Sequence, residues 1–206
     1  MARRGDVLRE HILDTAKELF LESGFEGTSM DSVAARAQTS KRSLYAHFPT
    51  KDALFGAVID RIGELFQGRM QTPDAYSDVP DEAVALYCAR LMQMLSWEPV
   101  VQTCRLGVTA APRFPDAARR LHGIFFADST ARLAEHLARR YGLDDAGADV
   151  LAERVIGATV HPHLPRLLFG IERPRTSRPE LQTLADDEDL PAIRRAVDPL
   201  LATVRR

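Results

Sequence analysis

Strong net charge and long apolar runs are both missing from this chain. Its 206 residues include 27 basic and 29 acidic side chains, which give a formal net charge of −2. Such a balance argues against unselective binding to nucleic acid, for which a large positive excess is typical. No apolar run approaches the roughly 18 residues that a membrane helix needs, and no signal peptide is recognisable. We therefore expect a cytoplasmic protein with no membrane partner.

Cysteines and the short motifs of common enzymes are also scarce. The two cysteines, Cys88 and Cys104, lie in helical stretches and lack the spacing of a metal site. This favours buried free thiols over a redox pair. The chain has no Gly-x-Ser-x-Gly elbow, phosphate loop, dinucleotide fingerprint or His-Glu-x-x-His pair. We expect neither enzyme activity nor a bound cofactor.

Residues 28–55, TSMDSVAARAQTSKRSLYAHFPTKDALF, have the pattern of two short helices joined by a tight turn. Thr28 and Asp31 resemble a capping box, and Ser40 is suited to cap a second helix that runs to about Phe48. Between these caps, small and apolar residues recur at the spacing of one helical face, at Met30, Val33, Ala34 and Ala37. The turn is about three residues long, which is typical of a helix-turn-helix.

The second helix has two apolar anchors, Leu44 and Phe48, and a polar outer surface. Arg42 suits a guanine edge or a phosphate, and Tyr45 can meet a thymine methyl group. Pro49 ends this helix and Thr50 is suited to cap the next one, whose free N–H groups would form an anion site. The candidate DNA-binding residues are Thr28, Lys41, Arg42, Ser43, Tyr45, His47, Thr50 and Lys51.

The motif SLYAHFPTKDALF, preceded by a capped Met-x-x-Val-Ala helix, resembles the TetR family of bacterial transcriptional repressors. The resemblance implies an all-α fold in which a three-helix DNA-binding domain is joined by a long fourth helix to a ligand-binding and dimerisation domain. It covers roughly residues 8–66. The family commonly has glycine in the turn, where this chain has Gln38. A positive φ at that position would cost a non-glycine residue about 1 kcal/mol.

Positive charge is concentrated near the helix-turn-helix. Residues 32–51 contain four basic residues and no acid, whereas residues 5–31 contain seven acids against two basic residues. Only the tail residues Arg3 and Arg4 extend this basic surface. So small a footprint predicts few phosphate contacts per subunit, and hence a homodimer that binds two half-sites of a palindromic double-stranded DNA operator.

The rest of the chain is predicted to be helical. A first helix should end at Gly24, and the fourth should extend to about Met70. Later helices are expected near residues 81–96, 99–110, 115–141, 146–171 and 190–204, with a bend or break at Pro199. Residues 172–189 look like an exposed, partly mobile connection. We divide the chain into a DNA-binding domain at residues 5–66 and a C-terminal domain at residues 67–206, whose 150–169 segment and last helix would form half of an intersubunit four-helix bundle.

An effector pocket for a small apolar or amphipathic ligand is implied by the resemblance. Soft and aromatic side chains that could line it, or that could simply pack in the core, are Met92, Met94, Trp97, Cys104, Phe125 and Phe126. His161 and His163 could in principle bind a metal, but a lone His-x-His pair interrupted by Pro162 favours a kinked helix, and we expect no metal.

The function expected from these features is that of a ligand-responsive transcriptional repressor. Ligand binding would change the spacing of the two recognition helices and lower operator affinity. A transcriptional activator and a helical interaction module that contains a helix-turn-helix remain as alternatives.

Overall fold

The computed structural model describes residues 4–205. The regular secondary structure elements within these residues are helices. The predicted all-α class is confirmed. Arg3 and the side chain of Arg4, which were expected to extend the basic surface, lie outside the described part. The helices are α1 (Arg4–Gly27), α2 (Met30–Arg36), α3 (Lys41–His47), α4 (Lys51–Gln67), α5 (Pro80–Ser96), α6 (Glu98–Ala110), α7 (Pro115–His122), α8 (Asp128–Tyr141), α9 (Asp145–Val160), α10 (Leu164–Leu168) and α11 (Leu190–Ala202).

The chain forms two compact units. The first comprises the described residues up to Leu65 together with Gln102–Leu121, and the second comprises Phe66–Val101 and the described residues from His122 onward. Helix α6 therefore begins in the second unit and ends in the first. Among the described residues, no helix is both long enough and apolar enough to cross a membrane.

The start of α2 differs by one residue from the sequence prediction. The Ser29 hydroxyl accepts a hydrogen bond from the backbone N–H of Ser32, and the Ser32 side chain accepts one from the backbone N–H of Ser29. Ser29 is therefore the N-cap, and the predicted cap at Thr28 is wrong. Thr28 is only 2% exposed, because its hydroxyl points inward to the carbonyl oxygens of Leu19 and Gly24.

Other local predictions for the first unit are confirmed. The backbone of α1 leaves the helical conformation at Gly24, with φ 70° and ψ 177°. The predicted apolar face of α2 is buried throughout. Gln38 has a φ of 50°, and it is the one non-glycine residue with positive φ in the described chain.

Two long helices predicted for the later part of the chain are interrupted. Instead of one helix over residues 115–141, a π-helical turn at Gly123–Ala127 separates α7 from α8. Instead of one helix over residues 146–171, the chain turns at His161–His163 between α9 and α10. Of the bend or break predicted at Pro199, the break does not occur, because α11 continues through it to Ala202. Pro199 lies close to the end of α11, where the loss of one backbone N–H affects only the last turns.

The connection at residues 172–189 is largely exposed, as predicted, but it is also anchored to the second unit. Arg175 lies 2.9 Å from the buried carboxylate of Asp187 and 2.7 Å from that of Asp189. Gln93 of α5 donates a second hydrogen bond to Asp187, at 2.6 Å. These contacts join the connection to α5 within the second unit.

Candidate nucleic-acid interface

Helix α3 is fixed to the first unit by one side and exposes the other. Its N-cap is Ser40, whose hydroxyl accepts from the backbone N–H of Ser43 at 3.0 Å. Leu44 and Phe48 are 0% and 3% exposed, as their one-turn spacing predicted. Tyr45, by contrast, is 47% exposed. The exposed side therefore presents hydrogen-bonding groups on a helix whose position is set by packing.

Most of the positive charge near α3 is paired within the protein. Arg36 lies 2.9 Å from Glu22, and Lys41 lies 2.8 Å from Asp31. The hydrogen bond to Asp31 raises the pKa of Lys41 above its ordinary value. Both ion pairs are exposed to solvent, so they can open at low cost when a stronger anion approaches.

Arg42 differs from these neighbours. It is exposed, and no carboxylate within residues 4–205 forms an ion pair with it. A free guanidinium on the outer side of a helix can bond a guanine edge with two parallel hydrogen bonds or meet a phosphate. Arg42 is therefore the cation of α3 that is available without rearrangement.

The ammonium group of Lys51 is hydrogen-bonded within the protein, whereas the sequence predicted that it adds charge to a phosphate site. Its ammonium group donates to the backbone carbonyls of Phe25 and Thr28, at 2.8 and 2.9 Å. It also lies 4.1 Å from the centre of the Phe25 ring. Two of its three N–H donors are thus used inside the protein, and the side chain secures the turn that precedes α2.

The remaining candidate residues fall into two groups. Ser43 and His47 are half-buried, and the Ser43 hydroxyl lies 2.8 Å from that of Ser40. Thr50 is exposed and caps α4, since its hydroxyl accepts from the N–H of Ala53 at 3.0 Å. The predicted cap at Thr50 is confirmed, and the first N–H groups of α4 remain directed at any anion that approaches this end. Thr28 contributes no accessible hydroxyl, because the group is buried.

The residues predicted to line an effector pocket differ in their surroundings. Met92, Met94 and Phe125 are buried in the second unit, and Cys104 belongs to the first. The guanidinium carbon of Arg69 lies over the ring of Trp97, 5.8 Å from the ring centre.

Phe126 alone among these candidates lines a groove of about 540 Å³ in the second unit, which we call the α8–α9 groove. Its lining is mainly apolar and includes Ile156, Gly157, Val160, Leu164, Leu168 and Phe169, with Glu153 and His161 as polar groups. The sequence did not single out most of these residues, because they are spread over three helices and a turn.

The two histidines of the His-Pro-His segment have separate surroundings. His161 borders the α8–α9 groove, whereas Nδ1 of His163 lies 3.3 Å from a carboxylate oxygen of Glu172. Within residues 4–205, no group of three or more His, Cys, Asp or Glu side chains is arranged to hold a metal ion. Both cysteines are buried free thiols, as predicted.

Comparison with known proteins places the helix-turn-helix in a defined family. Residues 12–58 match the model of bacterial regulatory proteins of the TetR family. An HTH-type transcriptional repressor of Mycobacterium tuberculosis H37Rv is 33% identical over 127 residues, which are 60% of this chain and 63% of that relative. The repressor DhaR of Mycobacterium sp. strain GP1 is 28% identical over 101 residues, covering 48% of this chain and 49% of that relative. The chain thus matches less than two thirds of the length of these relatives.

Solved structures share the fold over nearly the whole chain. A protein of Mesorhizobium loti MAFF303099 described as a TetR-family transcriptional regulator has a TM-score of 0.76 at 23% identity and covers 98% of both chains. The flavonoid-responsive regulator FrrA has a TM-score of 0.70 at 24% identity and covers 97% of this chain and 95% of its own. With the motif and the capped helices, these matches show that residues 12–58 carry the sequence pattern of the TetR family of bacterial regulatory proteins and that the chain as a whole shares the fold of proteins described as TetR-family regulators.

Proposed function

We propose that this protein is a transcriptional regulator that binds DNA through α3. The observation that carries the proposal is the division of α3 into a buried side, with Leu44 and Phe48, and an exposed side with Arg42 and Tyr45. A helix held in this way can enter the major groove with its polar side towards the base edges. Lys41 would contribute after it exchanges Asp31 for a phosphate.

We further propose that it acts as a homodimer on a palindromic operator. One subunit offers a single unpaired cation on α3, and so its phosphate contacts are few. Two subunits double those contacts and require two half-sites about 34 to 36 Å apart, or a multiple of that spacing. The second unit offers exposed surface on α9 and α11 for such pairing, including Val150. This use of residues 150–169 and of the last helix remains a proposal.

The regulator is proposed to be a repressor that a small apolar or amphipathic effector releases. Two relatives carry the description repressor, and FrrA, which shares the fold, is described as flavonoid-responsive. The α8–α9 groove is our candidate effector site, because its volume of about 540 Å³ lies in the range of small-molecule sites. Met92, Met94 and Phe125 are less suited to contact an effector that enters the protein, because their side chains are buried.

Selection of binding sites from a random duplex library tests the proposal. We expect a palindromic consensus whose affinity falls steeply with salt concentration. Arg42→Ala and Tyr45→Phe should each weaken binding to that consensus by about five- to tenfold, the loss expected for one base or phosphate contact. Failure to enrich any sequence, or indifference of the selected site to both substitutions, would refute the assignment of α3.

Activation of transcription is the alternative that DNA binding by itself leaves open. A reporter gene placed downstream of the selected site distinguishes the two, because a repressor lowers its expression and an activator raises it. A helical interaction module would bind no preferred sequence at all.

A further inference from the structure

The first compact unit includes a piece of chain far from the helix-turn-helix. The last part of α6 and nearly all of α7, Gln102–Leu121, belong to this unit. They lie outside the residues 12–58 that match the family model. Residues 111–114, which connect the two helices, are called the α6–α7 corner below. Two adjacent side chains of the corner, Arg113 and Phe114, contact the chain segments directly before and after the helix-turn-helix.

Phe114 completes a cluster of phenylalanine rings. Its ring centre lies 4.6 Å from that of Phe25 and 5.1 Å from that of Phe55. Phe20 adds a fourth ring, 5.2 Å from Phe55. Edge-to-face rings at these separations stabilise a specific arrangement in addition to burying apolar area. The corner is therefore packed against the end of α1 and the start of α4.

Arg113 contacts the same two segments, the end of α1 and the start of α4, at the protein surface. Its guanidinium lies 4.8 Å from the centre of the Phe25 ring and pairs with Glu26 at 2.9 Å and with Asp52 at 3.6 Å. Glu26 precedes α2, and Asp52 lies in the first turn of α4. One side chain thus bridges the two segments between which α2 and α3 are inserted.

Phe25 links these contacts to the helix-turn-helix itself. Lys51 also lies over its ring, at 4.1 Å, while the ammonium group holds the carbonyls of Phe25 and Thr28. Ser29, the cap of α2, is the next residue. The position of Phe25 consequently determines where α2 starts, and through the short turn at Gln38 it constrains the direction of α3.

We propose that Arg113 and Phe114 are positioning residues for DNA recognition. They hold Phe25 and the turn at residues 25–28, and in this way they keep α3 in the orientation that reads base edges. The inference rests on the proposed function.

The test compares Arg113→Gln, Phe114→Ala and Phe114→Leu with wild type on the selected duplex and on a duplex of unrelated sequence. Arg119→Gln is the matched control, because it removes one positive charge from α7 in the same unit, at a side chain whose ion pair is with Asp116 of its own helix. Arg113→Gln and Phe114→Ala should weaken specific binding by about five- to tenfold, the size expected from one lost cation–π contact and its ion pairs. Phe114→Leu should remain within about twofold of wild type, since it still fills the cluster. Binding to unrelated DNA should change no more than in Arg119→Gln.

Hydrogen exchange of the free protein provides a second readout. We expect faster exchange of backbone amides at residues 28–48 in Arg113→Gln, with unchanged exchange in α5, because local ordering is lost and the fold is kept. Unchanged exchange at residues 28–48 would refute the positioning role even if DNA binding fell, since Arg113 would then act by direct contact with DNA. Normal specific binding by folded Arg113→Gln and Phe114→Ala proteins would also refute it.

The two proposals fail in different ways. If the wild type itself selects no sequence, the proposed function is wrong, and the exchange experiment still decides whether the corner orders the helix-turn-helix. If Phe114→Ala does not fold, Arg113→Gln carries the test, because the Arg113 side chain is 53% exposed and its loss leaves the ring cluster intact.

Discussion

Gln38 has a backbone conformation that is unfavourable for a residue with a side chain. Its φ of 50° lies in the left-handed region, where a Cβ atom costs about 1 kcal/mol. Gln38→Gly should therefore raise the free energy of unfolding by up to about 1 kcal/mol, a gain reduced by the greater freedom of glycine in the unfolded chain. Thermal denaturation measures the change. Gln38→Ala keeps the Cβ atom and should show no gain, and equal stability of the two variants would contradict the strain.

Asp31 is predicted to restrain DNA binding by occupying Lys41. The pair is exposed and 2.8 Å long, so Asp31→Asn frees the ammonium group without disturbing the core. We expect tighter binding to DNA with a similar salt slope, because Lys41 meets a phosphate in both proteins and in the variant no longer has to leave a carboxylate first. Binding measured from 50 to 200 mM salt tests this. Asp14→Asn is the control, because it removes the same charge from α1, where Asp14 pairs with Lys17. An equal effect of both substitutions would show that only net charge matters.

The role of a residue could be predicted from the sequence where it depends on neighbours within one or two helical turns. Ser40 as a cap and Leu44 and Phe48 as anchors follow from helical spacing alone. The contacts of Lys51 within the protein were not predicted, because its partners are the carbonyls of residues 26 and 23 positions earlier, which no local pattern reveals. Thr28 was misjudged because two adjacent hydroxyl residues can each cap a helix, and burial selected Ser29.

At the scale of elements, the connection at residues 172–189 depends on one buried carboxylate. Burial alone would raise the pKa of Asp187, but the hydrogen bonds from Arg175 and Gln93 outweigh it and hold the pKa below the ordinary 3.8. A carboxylate whose pKa is lower in the folded protein adds stability above the unfolded value, and this stability is lost as the pH falls through the folded value. The contribution of Asp187 is therefore complete at neutral pH, begins to decrease near about pH 4, and is lost as the pH falls through the lower folded pKa.

Asp187→Asn should consequently destabilise the protein by about 2 kcal/mol at pH 7, because it weakens a buried network and leaves Arg175 with fewer partners. The difference from wild type should shrink as the pH is lowered from 5 to 3. Thermal denaturation over that range provides the measurement. Asp186→Asn is a close control, since Asp186 is an exposed neighbour that accepts a hydrogen bond only from Thr183 among the described contacts. A difference that is independent of pH would contradict the assigned pKa.

Helix boundaries were predictable where caps and prolines mark them and were missed where tertiary packing decides. The starts of α5 and α7 fall at Pro80 and Pro115, as first-turn prolines favour. The π-helical turn at Gly123–Ala127 has no comparable local signal, and it directs Phe125 into the core while Phe126 lines the α8–α9 groove. A prediction made from hydrophobic periodicity alone therefore continues one helix through this turn.

For the whole molecule, the charge on one α3 limits what a single subunit can do. Arg42 has no ion-pair partner among the described residues, whereas Arg36 and Lys41 have carboxylate partners and Lys51 is bound to carbonyls. Carboxylates in the folded protein thus neutralise two of the four positive charges that the sequence places near the turn, and the ammonium group of a third is held at backbone carbonyls. This strengthens the argument for two subunits per operator, because only a second copy adds contacts without a new basic surface.

Gly157 gives a test of how the second unit uses its groove. A Cβ added there meets no atom within 4 Å, so a larger side chain can enter the groove without colliding with the fold. Gly157→Phe should lower the affinity for the apolar dye 1-anilinonaphthalene-8-sulfonate by about tenfold, because the ring occupies the volume that a ligand would take. Gly157→Ala should keep dye binding and should gain up to about 1 kcal/mol of stability, since glycine is unfavourable within a helix.

Light scattering on the same variants separates a ligand site from a subunit contact. If Gly157→Phe remains dimeric and loses the dye, the groove is the effector site that we propose. If it becomes monomeric, the aromatic ring has blocked a neighbouring copy, and the groove belongs to the interface between subunits. Undiminished dye binding by a dimeric Gly157→Phe protein would show that the dye binds elsewhere and would remove the α8–α9 groove from consideration as the effector site.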